Sequence, residues 1–114
     1  MRAYRIPLRI VLYREGVDWI AHCLELDLVG HGRSKGAASI KLGEAIEAQL
    51  LFCIENRDKS RLFHPAPAEF YEMFASGKDV ATFELQLSEH LHGLMVEGVT
   101  AREYVKELQE AVQA

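Results

Sequence analysis

Five polar side chains of the kinds that bind metals or move protons lie close together: Asp18, His22, Glu25, Asp27 and His31. Imidazole with carboxylate is the donor set of zinc and iron sites. Their spacing, however, matches no metal-ligand motif, and Asp27 falls where a turn is expected. A metal site is therefore not expected. Cys23, with His22 or His31, is the only nearby thiol–imidazole combination. Neighbours in a strand point to opposite faces, so His22 cannot activate Cys23, which reads instead as a small buried hydrophobe. His64, His90 and His92 have no evident partner in the sequence. Gly30-His31-Gly32-Arg33 lacks the spacing of a phosphate-cradling loop. No catalytic residue and no cofactor are expected.

The elements that position these residues follow from periodicity. Ile6, Leu8, Ile10 and Leu12 alternate with Arg5, Arg9 and, in part, Val11 and Tyr13, which predicts a half-buried strand over residues 3–14. Pro7 donates no ladder bond, so it points to an edge strand or a bulge. Turn chemistry at Glu15-Gly16-Val17-Asp18 leads into a strand from Trp19 to Leu24, and the two form an antiparallel hairpin. Leu28 to Gly32 reads as a third strand whose glycines mark a bulge or a close backbone approach.

The period then becomes helical. Ser34 is an N-cap, and Ala38, Leu42, Ala45, Ile46, Leu50 and Cys53 recur at three- and four-residue spacing to Ile54. The later half of this helix is apolar nearly all round, so it is buried on several sides or meets a partner. A loop carrying Arg57, Lys59 and Arg61 follows. Pro67 opens a short helix with one apolar face of Phe70, Tyr71, Met73 and Phe74, and Gly77 ends it. Alternation from Thr82 to Ser88 predicts a fourth strand. Thr100-Ala101-Arg102-Glu103 has the capping-box pattern and predicts a last helix with a stripe of Tyr104, Val105, Leu108, Ala111 and Val112. The expected class is thus α+β: a three- to four-stranded, mostly antiparallel sheet on a central helix in βββα order, with additional C-terminal helices. Residues 1–55 form the core module of a single domain, and residues 56–114 an extension.

Composition narrows the function. The chain has 114 residues, 49% of them hydrophobic and 26% charged, which is ordinary globular usage. With 17 acidic and 13 basic side chains the formal charge is −4, which argues against a general phosphate-gripping surface and suits a basic partner. The strand–helix–helix order from Thr82 is that of a ribbon-helix-helix, but its strand lacks a basic or amide-rich reading face, so DNA binding is weakly supported. No apolar stretch approaches the roughly 20 residues of a membrane span. The first residues, with their interspersed arginines, lack the apolar core of a signal peptide. Cys23 and Cys53 read as buried reduced thiols, which fits the cytoplasm. Apolar surface exceeds what one small core needs, and such surplus is how small domains associate.

The segment from Gly16 to Ala38, with the helix after it, resembles the HicB antitoxin family. The matching positions are Trp19, Ala21, Glu25, Leu26, Gly30, Gly32, Ser34, Ala38, Ala45 and Ile46, within residues 4–54. The resemblance implies a degenerate RNase H-like module without catalytic carboxylates. It also implies a small basic RNase toxin of the HicA type as partner, and a homodimer or higher homo-oligomer. Glu25 and Asp27 would then pair with toxin bases, with Leu28 and His31 of the third strand adding contact. The helix start, Ser34-Lys-Gly-Ala-Ala, departs from the family, which has acids after the cap. The tail from Phe63 matches no DNA-binding domain. Two other readings fit the residues: a homo-oligomeric binding module for ligand sensing or regulation, and a metal-dependent nuclease using Glu25 and Asp27.

Overall fold

The structure, a computed structural model, describes residues 6–57, 63–80, 83, 85 and 96–105. It is an α+β fold. Strands β1 (Ile6–Glu15), β2 (Asp18–Cys23) and β3 (Leu28–Gly32) precede helix α1 (Lys35–Glu55); helix α2 (Ala68–Ser76), strand β4 (Lys78–Asp79) and strand β5 (Val96–Glu103) follow. The sheet has the order β3-β2-β1-β5-β4.

Alternation in β1 sorts its side chains onto two faces, and each face has its own helix. Leu8, Ile10 and Leu12 join Ala21, Cys23 and Leu26 in one cluster with Ala38, Leu42, Ile46, Leu50 and Cys53 of α1. Val11 and Leu24 join Ala66 and Phe74 on the other face, with Phe70, Tyr71 and Met73 of α2 packed against them. The apolar face expected of the short helix therefore covers the second side of the sheet.

Helix α1 begins where the sequence indicates, with the Ser34 hydroxyl accepting from the Ala37 N–H at 3.0 Å. It lies so close to β3 that a Cβ on Gly30 would fall 2.2 Å from the Ala38 carbonyl oxygen and 2.3 Å from the Leu42 nitrogen. Close approach, one of the two roles expected of the β3 glycines, is thus the reason for Gly30. The register of β1 shifts between Ile6 and Pro7, so Pro7 marks a bulge; β1 lies in the middle of the sheet and not at its edge.

Two expectations are corrected. The sheet has five strands and not three or four, and although three of its four pairings are antiparallel, β5 runs parallel to β1 from Val96 to Glu103. The helix expected to open at Thr100 gives way to this same strand. A capping box reads only local bonds, whereas Val96, Val99 and Thr100 are β-branched and the β1 backbone offers a whole ladder. Glu103, expected to reach back along a helix, meets Lys35 Nζ at 2.8 Å. Ala101 is buried beside its ladder partner Ile10. The remainder of that predicted helix, residues 106–114, lies outside the described residues. So does most of the strand predicted at 82–88, of which only Phe83 and Leu85 are described and neither is in a strand. Among the described residues no helix is long and apolar enough to cross a membrane.

Candidate functional site

The turn between β2 and β3 holds the acids that the sequence singles out. Leu24 and Leu26 within it are buried, and they sink into opposite clusters. This pins the turn from both faces and fixes where Glu25 and Asp27 project. Ala66 N–H donates to the Leu24 carbonyl at 2.8 Å and His64 N–H to that of Glu25 at 3.2 Å, so the segment before α2 straps the turn from outside. The Tyr71 hydroxyl adds a bond to the Leu24 carbonyl at 3.1 Å.

Each carboxylate has a partner within the chain. Glu25 accepts from the Arg9 backbone N–H at 2.7 Å and from Arg9 Nε at 2.6 Å. The Arg9 guanidinium in turn lies 4.8 Å from the centre of the Tyr71 ring. Burial, then the nearby Glu25 charge, push the Tyr71 phenol above its usual range, with Arg9 opposing them. Asp27 has φ 51°, a left-handed conformation that Asp tolerates better than most residues. Its Oδ1 accepts from His22 Nε2 at 2.7 Å.

His22 is 3% exposed, and its ring packs 4.4 Å from that of Phe70. Its Nδ1 is buried with no hydrogen-bond partner among the described residues. The tautomer that fits carries its proton on Nε2, because a lone pair facing aromatic carbon costs less than an orphaned N–H. A pairing of His22 with Asp27 is not legible as a spacing motif. It arises because the left-handed residue closes the turn and brings the carboxylate back to β2.

The remaining candidates separate. Asp18 meets Arg33 at 3.4 Å, Leu28 packs partly buried against the first cluster, and His31 is exposed on edge strand β3. Among the described residues, no group of three or more His, Cys, Asp or Glu side chains could hold a metal ion. Cys23 is fully buried, and burial pushes its thiol up to about 12, so it stays protonated in the folded protein. Cys53 is buried as well, and neither cysteine is in a disulfide. His90, His92, Lys59 and Arg61 lie outside the described residues.

A second surface is apolar. Leu51, Phe52 and Ile54 near the end of α1 are 44%, 43% and 46% exposed. Helical spacing puts Leu51 and Ile54 on one stripe with the exposed Ile40, and Phe52 beside it. The sequence flagged this half of the helix as apolar all round, and the structure leaves its outer side uncovered by the described residues. Compared with family models, curated proteins and solved structures, the chain matches none.

Proposed function

We propose that this protein is a HicB-like interaction module: an antitoxin that binds and neutralises a small basic RNase toxin of the HicA type, and that also associates with itself. The observation that carries an association role is the exposed set Leu51, Phe52 and Ile54. Complete burial of such a side chain is worth about 1.5–3 kcal/mol, so each, nearly half exposed, leaves about 1 kcal/mol to be gained in a contact. The nature of the partner rests on the resemblance across residues 4–54 and on the net charge of −4. Three strands leading into a capped helix are in keeping with that resemblance. The buried free thiols suit the reducing cytoplasm.

In this reading Glu25 and Asp27 act mainly by fixing the turn, and His31 on the exposed edge of β3 is free to touch the partner. Expression of the adjacent gene product, alone and together with this chain, tests the reading. Arrested growth alone and restored growth together are expected. A neighbour that is harmless alone removes the antitoxin role and favours a homo-oligomeric module of sensing or regulatory purpose, for which the same apolar stripe would serve.

A further inference from the structure

On the side of the sheet away from α1, a groove of about 650 Å³ opens between the end of β1 and α2. Its lining includes the rings of Tyr13, Phe70 and Tyr104 and the carboxylates of Glu15, Glu69 and Glu72. The Tyr13 and Phe70 rings are stacked, 6.1 Å apart at 30°. Burial, with Glu15 and Glu69 next, pushes the Tyr13 phenol up to about 12, so the hydroxyl lies in a negative field.

Three rings elsewhere in the protein lie under its own cations. Arg9 lies 4.8 Å from the centre of Tyr71, Lys35 4.9 Å from Trp19 and Arg102 4.6 Å from Phe74. No cation of the described residues lies over Tyr13 or Phe70. Nor does any of the three glutamates form an ion pair among the described residues. Arg14, the basic residue at the groove, places its guanidinium 5.5 Å from the centre of Trp19 instead. The groove thus offers the Tyr13 and Phe70 rings and three carboxylates to a cation, with none of the described cations over those two rings.

We propose that this groove receives an arginine side chain of the basic partner, an inference that rests on reading the chain as a binder of a basic protein. A planar guanidinium can lie on the Tyr13–Phe70 pair and donate from its edge to the glutamates, which the compact ammonium of lysine does less well. Three carboxylates repel an anionic ligand. The groove is on the face opposite α1, so partner binding here leaves the Leu51–Ile54 stripe available for self-association.

Titration of the full chain with N-acetyl-arginine methylamide, followed by NMR, tests the groove. Saturable shifts at Tyr13 and Phe70 are expected, about tenfold weaker with the uncharged citrulline analogue and in E15Q/E69Q/E72Q. An equal response to citrulline, or shifts confined to other residues, overturns the proposal, and the citrulline comparison decides even if the triple variant fails to fold. The partner supplies the second arm. A partner that binds the folded triple variant as tightly as the parent overturns the groove and leaves the antitoxin reading standing. An arginine probe that seats in the groove, beside a neighbouring gene product that never binds, overturns that reading and keeps the groove as an arginine site.

Discussion

His22 and Asp27 form the pair on which the β2–β3 turn depends most. Replacing Asp27 with Ala removes the acceptor at Nε2 and leaves both ring nitrogens of a buried imidazole unpaired. The expected cost is about 2 kcal/mol, whereas Asn, which keeps an amide oxygen there, costs less than about 1 kcal/mol. Urea denaturation of both variants gives these values from midpoints at constant slope. Gly30 allows no Cβ, because backbone atoms of α1 stand within 2.3 Å of where it would be. Gly30→Ala should cost about 3 kcal/mol, read the same way, because a helix backbone cannot yield as a side-chain tip does. Cys23 contributes to the loss of stability at alkaline pH. Its thiol titrates near 9.0 when unfolded and near 12 when folded, so over that window the unfolded chain holds fewer protons. Stability is full below the unfolded value and falls as pH rises, by up to about 1.4 kcal/mol per pH unit from this group. Cys23→Ala should flatten that part of a stability-versus-pH curve. An unchanged slope would contradict the burial assigned to the thiol.

Among the elements, α2 is clasped at its C-terminal end by a side chain of another element. Arg102 of β5 donates to the Phe74 carbonyl at 3.2 Å, pairs with Asp79 at 3.0 Å and stacks on the Phe74 ring. It thereby closes the C-terminal end of α2, where a cation also complements the helix dipole. Arg102→Met should cost about 1–2 kcal/mol and speed amide exchange in α2 while leaving α1 unchanged, a contrast that hydrogen exchange resolves. The elements also show how far the sequence could be read. β1 to β3, α1 and α2 were legible because each carries a local signal: alternation, Ser34 as a cap, Pro67 and Gly77 as bounds. β5 was not, because Thr100 to Glu103 spells a helix start locally and becomes a strand only through the ladder to β1, far away in the chain. The site was legible to the extent of its residue list. That Glu25 reaches Arg9 and Asp27 reaches His22 depends on the buried Leu24 and Leu26 and on a left-handed turn, none of which spacing encodes.

At the scale of the whole molecule, each face of the sheet is covered by one helix, and association is left to surfaces outside the core. The Leu51, Phe52 and Ile54 side chains of two copies offer about 4–8 kcal/mol on burial, at best the roughly 8 kcal/mol of a micromolar complex before the cost of association is met. The stripe alone therefore supports only weak self-association, and a tight complex needs contacts from a partner. Phe52→Glu should abolish association at a cost to folding stability of about 1 kcal/mol, since the ring is already more than half buried in the monomer. The most direct test of an interaction role is the mass, by light scattering, of the chain purified after co-expression with the adjacent gene product. A stable complex containing both proteins is expected. A chain that elutes without its neighbour, at the mass it has when expressed alone, would contradict that role.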